Sequence, residues 1–183
     1  MAFKRSAVRL RSAPPGSKQG FGNEALFSFD RVLCAVAFLL ALAAAYPAAA
    51  QEPITFERTD LAIVTAAGAR HQFKVEWAKS WPQKARGLMY RKDMAIDHGM
   101  LLDYDPPQAA SIWMKNTLIP LDIVFIRADG VIESIFLGAK PQDETPMPSK
   151  GDVRAVLELN AGVARLLGIQ PGDKVVHPIF GAH

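Results

Sequence analysis

A mainly β domain of α+β character is the expectation from this sequence: a single compact antiparallel β-sandwich or small barrel with two short helices. Three observations lead there. Seven or eight short apolar or alternating segments run through residues 61–177, only two stretches carry helix-start signals, and no βαβ alternation is seen, which excludes doubly wound folds. Asp129-Gly130, set between two apolar runs, is in addition a strong hairpin turn.

The elements follow in order. Residues 51–60 are a lead-in, with Pro53 discouraging early helix. Residues 61–64 read as a short strand, 65–70 as a loop with Gly68, and 71–77 as a second strand completing a hairpin. In that second strand His71, Phe73, Val75 and Trp77 alternate with Gln72, Lys74 and Glu76, the period of a half-buried strand. Ser80 with Gln83 forms a capping box for a helix over 81–90, where Pro82 is tolerated and Gly87 weakens the interior. Residues 99–104 form a strand and Asp105-Pro106-Pro107-Gln108 a turn, after which 111–116 should return antiparallel to it. Residues 123–126 are a continuous apolar run, as in a strand covered on both faces. Residues 131–137 pair with it through Asp129-Gly130, and 140–152 read as a long exposed loop. A strand over 154–159, a helix over 161–167 capped by Asn160 and ended by Gly168, and a last strand over 174–177 complete the domain.

Residues 1–50 are expected to lie outside the fold. Six Lys and Arg precede or flank the apolar run 32–45, and Ala48 and Ala50 follow as an A-x-A cleavage signal, the layout of a Sec-type signal peptide. The run is too short to span a bilayer, so export to the periplasm or the extracellular space is expected, with no transmembrane segment after cleavage. The organisation is then a leader (1–50), a lead-in (51–60) and one β-rich domain (61–183), expected to be a monomer. The leader distorts the overall charge of +3: residues 51–183 carry 15 basic and 16 acidic side chains, which argues against a nucleic-acid partner held by bulk charge. The single cysteine, Cys34, lies in the leader, so residues 51–183 can form no disulfide, cysteine nucleophile or thiolate metal site.

Catalytic signatures are thin. No serine lies in a G-x-S-x-G context, and His71, His98, His177 and His183 lack ligand spacing, so neither metal nor cofactor is expected. The informative stretch is 111–135, where Trp113, Lys115 and Asn116 precede the Pro120 corner and Asp122. In an extended segment Trp113 and Lys115 share a face, so the ammonium stands beside an indole. Either the lysine stem merely covers the ring, or the charge is aimed into a cleft with an aromatic wall. Asp122 could pair with Lys115 or brace Asn116. Arg86 and Arg91, in KARGLMYR, offer guanidinium groups suited to carboxylate or phosphate, while Lys84 and Lys92 are expected on a solvated helix face. Glu158, alternating with Leu157 and Leu159, is either on the solvent face or a buried partner for an arginine.

FKVEWA, KARGLMYR, GMLLDY, WMKNTLIPLDIVFI, VLELNAG and PGDKV occur here in that order, and the chain resembles the small bacterial and archaeal family known as domain of unknown function 192. The resemblance spans about residues 61–176. It implies a compact β-rich domain, commonly exported, with its polar motif at Arg86, Arg91, Lys115, Asn116, Asp122 and Glu158. It implies no reaction and no cofactor. The leading functional expectation is binding of a small polar or anionic envelope ligand in a cleft lined by Arg86, Lys115, Asn116 and Asp122, with Arg91, Trp113 and Glu158 as further candidates. The alternatives are a hydrolase or lyase using Asp122 or Glu158 as acid or base, and a module that binds another envelope protein through Trp113 and the 140–152 loop.

Overall fold

The computed structural model describes residues 53–181; the leader expected over residues 1–50 lies outside them. Seven strands form one mixed, strongly curled half-barrel sheet. They are β1 (Glu57–Val64), β2 (Arg70–Ala78), β3 (His98–Ile112), β4 (Leu121–Ile126), β5 (Ile132–Ala139), β6 (Met147–Asn160) and β7 (Lys174–Val176), in the order β5-β4-β6-β3-β2-β1-β7. Two short helices, α1 (Trp81–Arg86) and α2 (Val163–Leu166), complete the mainly β domain. The β1–β2 and β4–β5 hairpins form where the sequence places them.

Three local expectations are corrected. The first concerns the connection from β2 to β3, which run parallel with Val75 opposite Gly99, so β2–α1–β3 is a βαβ unit. Parallel neighbours need a crossover of a dozen or more residues, and α1 followed by the irregular stretch 87–97 supplies it. Gly87 ends α1 at φ +47°, well before residue 90. The second concerns Asp105-Pro106-Pro107-Gln108, which is no turn. β3 continues through it with a register shift between Asp103 and Gln108, so that residues 99–103 and 108–112 both pair with β6. Prolines cannot donate to a ladder and are tolerated at such a bulge. The third is that the loop after β5 is short, because β6 already begins at Met147.

β6 runs between β3 and β4 and sorts the core by its pleat. Ala155, Leu157 and Leu159 face one cluster, with Leu61, Ile63, Phe73, Val75, Val124 and Val175, closed by Val163 and Ala164 of α2. Val156 belongs to a second cluster on the opposite face, with Met100, Leu102, Ile112, Met114, Ile123 and Phe125, over which Leu88 packs. Gly99 marks how closely β3 and β6 approach: a Cβ there would lie 2.7 Å from the Glu158 carbonyl oxygen.

α2 is not capped by Asn160, whose side-chain amide donates instead to the Met94 and Ala95 carbonyls. Its start is held by Asp122, which is fully buried on β4. One carboxylate oxygen accepts from the Gly162 and Ala164 amides at 2.9 and 3.0 Å, and the other from Gly138 N at 2.9 Å. Asp122 thus fastens α2 and the end of β5 to β4 without contact to Lys115. Asp122→Ala strands these donors and should lower stability by about 3–5 kcal/mol, read from urea unfolding. A loss below about 1 kcal/mol would rule out this clasp.

Candidate functional site

Position 158 shares the pleat of Val156 and therefore belongs to the second core face, directly between Met100 on β3 and Ile123 on β4. The sheet thus points a carboxylate into an apolar layer. The layer is not filled there. A cavity of about 330 Å³ opens between α1 and the sheet, with Leu88, Leu102, Ile112, Thr117 and Glu158 as its buried base. Lys84, Ala85, Arg86 and Gly87 line it from the α1 side, and Tyr104 from β3. Trp81 and Trp113, 74% and 50% exposed, stand at its mouth with Pro146.

Glu158 is 6% exposed, and its Oε2 has no hydrogen-bond partner among the described residues. Burial pushes its pKa up to about 7, with the positive charge of Arg91 opposing the rise. A Cβ at Gly87 would lie 3.8 Å from that same Oε2, so the end of α1 closes over the carboxyl and the missing side chain keeps the space open. Tyr104 is pushed up to about 12 by burial and by the charge of Glu158, so its phenol remains a donor. Lys84 Nζ donates to the Asp103 carbonyl at 2.6 Å and stands 5.0 Å from the Tyr104 ring centre. Burial, and then Arg154, hold its pKa below the ordinary lysine value.

The structure brings Arg86, Trp113 and Glu158 together around this cavity. Arg91 lies beside it, ion-paired with Glu76. Lys115 does stand beside the indole, Nζ 5.3 Å from the Trp113 ring centre, but its nearest acid is Glu144 at 3.8 Å, not Asp122. Asn116 adopts a left-handed φ of +55°, and its carbonyl accepts from Tyr90 N at 2.9 Å. It ties the stretch after α1 to the corner rather than lining the cavity. Asp122 is committed to the clasp on α2. Of the four residues expected to line one cleft, Arg86 borders this cavity, and Lys115, Asn116 and Asp122 do not.

Lys84, expected on a solvated face, lines the cavity instead, and Tyr104 lines it as well. Both had a signal. Lys84 precedes the apolar Leu88 by four positions, the spacing of one helix face, and Tyr104 has the parity of Met100 and Leu102 on β3. The break in helix at Gly87 and the bulge in β3 obscured them.

The raised pKa of Glu158 makes stability depend on pH. The folded state holds this proton more tightly than the unfolded chain, where the ordinary value is 4.5. Stability from this group is therefore full below about 4.5 and is lost as pH rises toward about 7, a span worth roughly 3 kcal/mol. His177, lowered chiefly by burial, contributes in the opposite sense, gaining stability as pH rises toward 6.5. The difference between proteins isolates Glu158. Urea unfolding from pH 4.5 to 8 should show Glu158→Gln gaining on wild type as pH rises; parallel curves would refute the buried titration.

The profile of the family DUF192, described as "Uncharacterized ACR", matches residues 62–177. A crystal structure from Sinorhizobium meliloti 1021, described as a candidate transcription regulator, is 42% identical, with a TM-score of 0.67 over 68% of this chain and 96% of that one. A protein of unknown function from Novosphingobium aromaticivorans DSM 12444 is 40% identical, with a TM-score of 0.66 over 73% and 94%. No curated protein matches the chain. The profile covers more than half of the chain, in the span where its motifs occur: the chain belongs to the domain of unknown function 192 family.

Proposed function

We propose that this domain binds a small organic molecule in the cavity between α1 and the sheet, with Glu158 receiving the ligand's polar end. One observation carries the reading: a carboxyl more than nine-tenths buried, with an unpartnered oxygen, borders an open apolar cavity. An acid left so in a core is destabilising, and an apolar residue would pack there at no such penalty. A ligand group that hydrogen-bonds Oε2 gives the acid a purpose. The cavity has the size and the mostly apolar lining, with few polar groups, usual for small-molecule sites. The domain is further proposed to act outside the cytoplasm behind a cleaved leader; a mature N-terminus at Gln51 in protein recovered from the periplasm would support this, and retention of residues 1–50 would oppose it.

A thermal-shift screen of small acids, alcohols and amides, followed by calorimetry, tests the binding reading. Bound compounds should raise the wild-type midpoint and lose about tenfold or more in affinity in Glu158→Gln. They should be excluded by Ala85→Trp, which fills the mouth from the exposed side of α1. Ligands indifferent to both changes would place binding elsewhere.

The reading as an acid–base enzyme is favoured by the same carboxyl, since a pKa near 7 suits proton transfer at neutral pH. Tyr104 and Lys84 would stand beside the reacting group as donors. Asp122 has no part in it, because both of its oxygens accept from backbone amides. Turnover of a bound compound by wild type, absent in Glu158→Gln and bending near pH 7, would raise this reading above simple binding. For the regulator description of the Sinorhizobium protein, the two α-helices among the described residues, of six and four residues, are too short for a helix-turn-helix reader.

A further inference from the structure

The cavity under α1 has a neighbour of opposite character. A cleft of about 510 Å³ shares Arg86, Gly87 and Met89 with it and is further lined by Arg58, Glu76 and Arg91. Glu76, its side chain 14% exposed, holds two guanidinium groups at once. Arg58 Nη2 stands 3.6 Å from Oε1, and Arg91 bonds Oε2. One carboxylate cannot neutralise both. Arg86 adds a third guanidinium, 4.6 Å from the Tyr90 ring centre and without an acidic partner among the described residues. Across the two spaces four cationic side chains, including Lys84, face only Glu76 and Glu158.

We propose that the ligand of this site is an amphipathic anion, its apolar body under α1 and its carboxylate or phosphate head against Arg86 and the Arg58–Glu76–Arg91 cluster. The inference rests on the cavity reading above and adds the chemical class. Leu88, Leu102, Ile112 and the Trp113 indole offer the surface an alkyl or aryl body needs. Guanidinium forks match carboxylate and phosphate oxygens in pairs, and Glu76 holds two of them in place. Arg86 and Gly87 line both spaces, so head and body meet there. A cationic amphiphile would face uncompensated guanidinium groups, and a neutral one would leave them unmatched. Glu158 shares the head with them: its Oε2 lies beside Gly87, where the two spaces meet, and in its protonated form the acid donates to an anion's oxygen instead of repelling it.

Calorimetric titration of the protein with octanoate, octyl phosphate, octylamine and octanol tests the head group at constant body. One or both anions should bind about tenfold or more tighter than octanol, and octylamine no tighter than octanol. Which anion binds tighter identifies the head as carboxylate or phosphate. Arg86→Ala should remove most of the anions' advantage over octanol, and Arg58→Ala, outside the apolar cavity, should weaken the anions in the same direction. Octanol matching the anions, octylamine binding tightest, or a preference that survives both arginine changes overturns the head-group assignment and leaves the cavity reading standing. Anions that bind Ala85→Trp as well as wild type, or the failure of all four probes, overturn both.

Discussion

Everything in this fold is arranged around a strand that is covered on both faces. β6 lies between β3 and β4 and is fully buried over residues 155–157 and again at 159. A strand in that position has no solvent side, so each of its side chains must enter one core or the other. From Ala155 to Leu159 the odd positions enter the layer closed by α2, and the even positions the layer closed by α1 and the 112–119 corner. Glu158 falls on an even position. No local adjustment could turn it outward, since a one-residue slip would exchange the two cores entirely. The buried acid is thus a consequence of register, and the opening above it is what keeps the register tolerable.

The same constraint explains how much of the molecule was legible beforehand. β4 was readable because Ile123–Ile126 is uniformly apolar, and β2 because its alternation is nearly complete. Glu158 was readable as a dilemma, solvent face or buried partner, and the structure takes neither branch in full: the acid is buried and no arginine pairs with it directly. What could not be read was pairing across distance. The parallel β2–β3 contact depends on a crossover that is mostly irregular, and the continuity of β3 depends on β6 bridging a proline bulge, which no local pattern announces. Asp122 shows the limit for side chains. Its nearest polar neighbours in sequence suggested an ion pair, whereas its actual partners are backbone amides 16, 40 and 42 residues away.

The motif WMKNTLIPLD therefore divides its labour. Met114, Ile119 and Leu121 are buried in the second core, and Asp122 clasps α2. Asn116 takes a left-handed conformation from which its carbonyl receives Tyr90 N, and Tyr90 is itself left-handed at φ +65°. Non-glycine residues in that region are held there by their surroundings. The bond between them joins the tail of α1 to the corner that carries Trp113, so the two sides of the cavity mouth are coupled through the backbone. Residues that look like a binding motif in the sequence are largely the frame of the site.

That division bears on how an acid near neutrality can persist in the site. Glu158 is disfavoured as a charge by burial and favoured by the charge of Arg91, and the balance leaves its pKa at about 7. Were the frame to loosen, water would enter, the penalty for burying the charge would shrink, and the group would return toward an ordinary carboxylate. Rigidity at the α1 tail and chemistry at the cavity base are consequently one property. Gly87, which leaves space above Oε2 and ends α1 in a conformation that side chains resist, is where the two meet.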